Sequence, residues 1–357
     1  MKKIWLTIFS ISLVALIGIN WSVLAKKGAS SVTKETLVTP YLENKISPQK
    51  NLLYCGTFQL AWNELQNKFI KEKICLNGAQ EMVSLLNQQS FTKENLSSKD
   101  YVAMVDYLTP EFLNQLNQTL KSKFGNEAAI VNEKPMKNAI LAYAFLYKNL
   151  NFAIPFETLS EKLNFSSGNQ KTQVKAFGIK EYTDKLQPMA KQVKVLNYEN
   201  SNDFIISLAT KSNQEELILA KINPKATLAE TIALVEARSQ AGTKQVALEA
   251  NETLQIPKLD FLIDHNYQEL EGKTFLNKGW ESWQISKAKQ WIKFQLNEQG
   301  ATLKSEAKII MYGCAAPNQK AKPRSFIFDQ PFLIYLKEAG KKPYFALWIN
   351  NTDLLVK

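Results

Sequence analysis

Trp291–Ile310 reads WIKFQLNEQGATLKSEAKII. In its first half Ile292, Phe294 and Leu296 fall on one face, while Lys293, Gln295 and Asn297 fall on the other. That is the period-two pattern of a half-buried strand. The turn-type residues Asn297-Glu298-Gln299-Gly300 interrupt it, and a second alternation follows in the opposite parity. Ala301, Leu303, Ser305, Ala307 and Ile309 share one face, and Thr302, Lys304, Glu306 and Lys308 share the other. A strand does not exchange faces without a turn or bulge, so Gly300 is expected to be a hinge between two strand-competent segments. Taken alone, the periodicity describes an ordinary hairpin.

A chain of 357 residues can bury one large core or two modest ones. The formal net charge of +11 comes mostly from Lys, spread evenly beside abundant Asn. A nucleic-acid surface would concentrate Arg and interleaved aromatics, so no nucleic-acid partner is expected. His265 is the only histidine, and Ser-His-Asp, Cys-His and most zinc chemistry would have to pass through it. It stands at a strand exit with no neighbouring motif. No Gly-rich phosphate loop and no carboxylate or Cys-x-x-Cys group at metal spacing occurs. The chain is therefore not expected to be an enzyme or to carry a metal or other cofactor.

Met1-Lys2-Lys3 precedes the apolar run Ile4–Ile19, and Val23-Leu24-Ala25 offers a cleavage site. Residues 1–25 read as an export signal, or as an N-terminal membrane anchor where they are retained. Either way the remainder faces an extracytoplasmic compartment, secreted or periplasmic, and meets a membrane only through that segment. Residues 26–50, polar and holding Pro40 and Pro48, read as a tether to a single domain over 51–357. Export makes the cysteines relevant. Cys55 and Cys75 form a candidate disulfide that leaves Cys314 odd, or each is a buried thiol, and spacing does not decide between them.

Asn51–Tyr54 reads as a short strand and Thr57–Gln66 as a buried helix. Gly78–Asn87 and Lys99–Leu108 read as two further amphipathic helices. Thr109-Pro110-Glu111 opens another, because Thr caps, Pro suits the first turn and Glu complements the dipole, and Gly125 ends it. From Met136 strands dominate. They are expected at Tyr143–Leu150, Val193–Leu196, Phe204–Leu208, Glu216–Ile222, Gln245–Glu249, Gln255–Ile263, Phe326–Leu336 and Tyr344–Ile349. The capping box Thr227-x-x-Glu230 starts a helix to about Arg238. Helices first and strands later predict an α+β fold with large antiparallel sheets.

Several segments, in order, resemble the serpins. Asn51-Leu52-Leu53-Tyr54 before a helix is similar to that family's short buried strand and central helix. Phe145-Leu-Tyr-Lys through Phe152-x-x-Pro155-Phe156 resembles its strand ending in Trp-x-x-Pro-Phe, with Phe152 in place of Trp. Phe165 and Val174-x-x-Phe177-Gly178 continue the likeness, and Ile256-Pro257-Lys258-Leu259-Asp260-Phe261 is similar to its Leu-Pro-Lys-Phe strand. Glu298-Gln299-Gly300-Ala301 resembles the Glu-Glu-Gly-Thr hinge of the reactive loop. Phe328-Asp329-Gln330-Pro331-Phe332-Leu333 with Tyr344-Phe345 resembles the C-terminal hairpin. Departures accompany the likeness. The region between Leu65 and Ala144 is shortened, Cys55-Gly56 replaces Ser-Pro, and Ala144 and Gln290 stand where the family has a buried Asn and His.

The resemblance implies a monomeric protease inhibitor. Its exposed loop, within residues 298–327, is cut by a protease, which is trapped as an ester when the loop inserts as a new central strand. Leu303, Ser305, Ala307 and Ile309 would then form the inserted face. Burying Leu303 or Ile309 contributes about 1.5–3 kcal/mol each, and each new backbone hydrogen bond about 0.5–1.5. The opposite register would bury Lys304, Glu306 and Lys308, so the register is well determined. Large or charged Leu303, Lys304 and Glu306 slow insertion relative to the small residues that inhibitory members carry. Counting from Gly300 sets the candidate bait bond at Cys314-Ala315, with Arg324-Ser325 as the alternative. The residues between, with Pro317 and Pro323, read as a solvated loop. Ala144, Gln290 and Glu306 also leave room for a non-inhibitory binding or envelope-associated module.

Overall fold

The computed structural model describes residues 35–181, 183, 186–241, 246–302 and 323–357. The expected signal or anchor, the insertion face beyond Thr302 and the Cys314-Ala315 bond lie outside the described residues. Among the described residues, no helix is long and apolar enough to cross a membrane.

The chain begins with strands β1 (Thr36–Thr39) and β2 (Asn51–Cys55). Helix α1 (Thr57–Glu64) follows and continues as a π-helical turn over Leu65–Ile70, which Lys71 ends in the left-handed conformation. Helix α2 (Gln80–Leu86), β3 (Tyr101–Tyr107) and α3 (Pro110–Phe124) come next. The Thr109 hydroxyl accepts from the Phe112 amide and Pro110 sits in the first turn of α3, as its sequence predicts. Then come β4 (Ile140–Leu146), β5 (Asn149–Asn151), β6 (Glu157–Thr158), β7 (Leu163–Ser167), β8 (Gln170–Val174) and β9 (Ala176–Ile179). After the short α4 (Gln187–Ala190) run β10 (Val193–Asn200), β11 (Asp203–Leu208) and β12 (Glu215–Lys221). Helix α5 (Leu228–Ala241) is followed by β13 (Val246–Ala247), β14 (Thr253–Pro257), β15 (Leu259–Asn266), β16 (Lys289–Asn297) and β17 (Gly300–Thr302). The chain closes with β18 (Ser325–Ile327), β19 (Phe332–Glu338) and β20 (Pro343–Ile349).

An eight-stranded sheet in the order β1-β2-β20-β19-β12-β11-β10-β13 forms the floor. A second sheet, β15-β16-β17-β5, and the pair β3-β4 lie over it, while β18-β14-β9-β6 makes a third. The largest apolar cluster joins all of them, with Leu53, Leu60, Phe177, Leu219, Phe294 and Phe345 fully enclosed. This is the α+β architecture expected, with α3 laid across β3–β4 through Val102, Leu116 and Leu120, and Phe124, Tyr143 and Phe145 around them.

Three expectations need correction. Lys99–Leu108 is strand β3, paired with β4 at all seven positions, instead of a helix. Tyr101 and Ala103 face the main core while Val102 and Met104 face α3, so both faces are apolar and period two is hidden. The stretch read as a tether enters the fold at Thr36, where β1 pairs in parallel with β2, and Leu42 and Ile46 pack against the floor beside α5. The Asn51 amide ties this corner, donating to Thr36 and Asn351 and accepting from the Asn350 and Asn351 amides. Finally, Gln255–Ile263 and Phe326–Leu336 each split between two sheets, at Lys258 and at Phe328–Pro331.

Candidate functional site

The opening stretch forms the edge of a slot. In β16 Ile292, Phe294 and Leu296 are buried and pair with Ile263, Phe261 and Leu259 of β15. The Asn297 side chain accepts from the Gln299 amide at 2.9 Å, closing the turn. Gly300 takes φ +148°, and a Cβ there would collide with the carbonyl of Leu150 and with Asn151 Cα. Only glycine allows β17 to come this close to β5. The hinge is fastened on both sides, with Asn297↔Gly300 and Leu296↔Ala301 toward β16, and Asn151↔Gly300 and Leu150↔Ala301 toward β5. Phe152 and Phe156 donate their amides to the carbonyls of Gln299 and Glu298, both at 2.8 Å. Glu298 pairs with Lys258 at 2.5 Å. Burial works to raise the Glu298 carboxyl, but the Lys258 ammonium outweighs it and holds the group below its ordinary range. Ala301 is 2 % exposed.

Below β17 the described strands leave β4 and β16 unjoined. Among the described residues β4 pairs only with β3, and the Lys289–Phe294 part of β16 pairs only with β15. Six residues of β4, Ile140–Phe145, remain half-buried although all are apolar or aromatic. Gln290 sits at the inner wall, 4 % exposed. It accepts from the Tyr267 hydroxyl at 2.6 Å and donates to the Cys55 carbonyl and the Thr57 hydroxyl. Ala144, across the slot, packs on the main core.

The other loop end is equally fixed. Ser325 lies in β18, parallel to β14. Arg324 binds both carboxylate oxygens of the buried Glu252, and its guanidinium lies over Tyr198 and Phe326 at 5.8 and 5.5 Å. A protease needs a P1 side chain free to leave the surface, so this geometry disfavours Arg324-Ser325 as a bait bond.

The remaining sequence candidates separate. Cys55 is a buried free thiol beside Thr57, and Cys75 is an exposed free thiol, so the considered Cys55–Cys75 bridge is not formed. His265 lies on β15, edge-on to Tyr267 at 4.6 Å, and burial lowers its pKa against the pull of Glu269 and Asp264. A cluster that sequence reasoning missed lies beneath β4–β5. Asp100, Glu215 and Glu338 bring carboxylate oxygens within 4.8 Å of one another, and the Lys148 ammonium occupies their centre. Their separations of 48, 67 and 190 residues from Lys148 hide the group from any local motif.

No family model matches the chain, and no curated protein matches it. Solved structures do. Serpin-12, a serine protease inhibitor of Manduca sexta, superposes with a TM-score of 0.50 over 84% of this chain and 92% of that one, at 16% identity. Maspin gives 0.49 over 84% and 92% at 13% identity. Serpin48 of Tenebrio molitor gives 0.47 over 84% and 92% at 14%. The chain is a divergent example of the serpin fold.

Proposed function

We propose that this chain is an exported protease inhibitor of the serpin type, acting through the loop that follows Gly300. The observation carrying the reading is the seating of β17: a three-residue strand wedged between β16 and β5, above two edges, of β4 and β16, that are unpaired among the described residues. The residues next in sequence alternate as an inserting strand must, with Leu303, Ser305, Ala307 and Ile309 on the face that continues Ala301. The target protease would attack the bait carbonyl with its nucleophile, expel the new amine end, and remain as an ester while the loop zips inward. With Arg324 clamped, Cys314-Ala315 is the preferred candidate bond. The chain acts as a monomer, its domain, which takes in β1 from Thr36 onward, carried out of the cytoplasm by residues 1–25.

Incubation with a panel of serine and cysteine proteases is expected to give a detergent-stable covalent complex with at least one. Cleavage in the loop by several of them with no complex from any would refute inhibition. A second reading, a non-inhibitory binding or envelope-associated module, is favoured by the Gln290 network, which ties β16 to the end of β2 and the start of α1. It expects almost no gain in melting temperature after the loop is nicked, because nothing inserts.

A further inference from the structure

Residues 140–151 run as one continuous line of chain whose partner changes side. β4 pairs with β3, and beyond it β5 pairs with β17 on the opposite edge. Leu146, Lys148 and Leu150 all point inward and are buried, so the pleat passes unbroken through the change. Lys148 stands at the changeover. The last pair formed by the hinge strand is Asn149↔Thr302, so the next antiparallel step falls opposite Lys148.

The Lys148 side chain descends to the floor sheet and is 3% exposed. Its ammonium donates to Asp100 and Glu338 at 2.8 Å each and to Glu215. Glu215 begins β12 and Glu338 ends β19, and the two pair directly across the sheet. The Tyr344 ring lies 5.2 Å from the ammonium, and its hydroxyl donates to Glu215 at 2.9 Å. Glu338 also accepts from the Ser97 amide and pairs with Lys341 at 3.0 Å. Two lysines thus face three carboxylates. Burying a cation this deeply is costly, and it is retained only where partners converge on it.

At β5 the sheet is already parted by one strand, whereas farther down no described strand separates β4 from β16. There β4 and β16 are not paired with each other, and the described strands on the two sides are held in register only at the upper end, where β5 and β16 flank β17. We propose that Lys148 is the anchor of that upper end: its ion cluster fastens residues 146–151 to the floor and so holds β5 in register beside β17. This rests on the loop-insertion reading above. Lys148 is a positioning residue, touching neither protease nor bait bond.

The test combines amide exchange on the uncut protein with the melting-temperature gain after loop nicking. In Lys148→Met, exchange at residues 149–151 and 300–302 is expected to rise at least about tenfold, with Leu217–Ala220 of the floor unchanged. Lys148→Arg is expected to restore protection. The nicked variant is expected to reach its thermal gain more slowly than wild type. A uniform rise in exchange, or no change at residues 149–151, would overturn the anchor, as would an unaltered rate of gain. Should wild type show no gain, the inhibitor reading fails, while the exchange pattern still reports on the anchor. If Lys148→Met does not fold, Lys148→Met with Glu215→Gln and Glu338→Gln removes the two more deeply buried of the three stranded carboxylates and is expected to give the same local pattern.

Discussion

Gly300→Ala tests the hinge most directly. At φ +148° an L-residue is strained by about 1–3 kcal/mol, and the new Cβ meets the Leu150 carbonyl, which is backbone and cannot turn aside. The alternative is for β17 to leave the sheet. That forfeits the Phe152–Gln299 and Phe156–Glu298 bonds, the β5 ladder and the burial of Ala301. At about 1 kcal/mol net per hydrogen bond and about 0.8 for one methyl group, this route also costs about 3–5 kcal/mol. The strained route carries about 1–3 kcal/mol before the backbone collision is added, so relaxation caps the loss at about 3–5 kcal/mol without abolishing it. With about 2.1 cal/mol/K of unfolding entropy per residue over 357 residues, the loss lowers the melting temperature by about 4–7 °C. Calorimetry measures the shift, and amide exchange at Phe152 and Phe156 locates it. A melting temperature within about 1 °C of wild type, with both amides still protected, would refute the close approach of β17 to β5.

Gln290→Leu removes one buried acceptor and two donated bonds and leaves the Tyr267 hydroxyl unpaired, so urea unfolding is expected to shift by about 2–4 kcal/mol with an unchanged slope. Limited trypsin digestion is expected to spare Arg324 in wild type and cut after it in Glu252→Ala, and peptide mapping reads the difference. The Glu298 carboxyl is held low by Lys258, so it stabilises the hinge above the ordinary carboxylate pKa and stops doing so as pH falls through the depressed value. Amide exchange at Phe156, bonded to the Glu298 carbonyl, should accelerate in that acid window beyond its intrinsic trend, and Lys258→Ala should abolish the extra acceleration.

What could be read from the chain depended on how locally each feature is encoded. The Thr109 cap, the Thr227–Glu230 box, the alternation of β16 and the flip at Gly300 are all written within a few residues, and each corresponds to an observed element. β3 was illegible because α3 covers one of its faces and the core the other, leaving an apolar run whose Val102 and Val105 also suit a helix. β1 was hidden for another reason: Thr36–Thr39 is a four-residue TLVT segment inside an otherwise polar stretch, and it takes its place as a strand against the edge of β2. The Lys148 cluster assembles from four distant segments, and nothing near Lys148 distinguishes it from a solvated lysine. Arg324 looked like bait because the chain does not announce that Glu252 lies beside it.

The registers around β17 carry one more consequence. Continuing Gln295↔Thr302 and Asn149↔Thr302 would set Leu303 between Phe294 and Lys148, Ser305 between Ile292 and Leu146, and Ala307 between Gln290 and Ala144. On that register Ala307 would fall beside the Gln290 network, and the first large residue, Leu303, beside Lys148. On the outer face the same continuation sets Lys304 beside Lys293 and Lys308 beside Lys289. Lys289 is already paired with Asp264 at 2.7 Å, whereas Lys293 has no ion pair among the described residues. Directly opposed like charges cost about 0.2–1 kcal/mol and are screened by salt. Insertion after nicking, followed as the rise in thermal stability with time, is therefore expected to accelerate up to about fivefold between about 0.05 and 0.5 M salt. Lys293→Gln should give the same acceleration at low salt and remove the dependence. A rate indifferent to both would show that the inserted strand does not continue the register of β17.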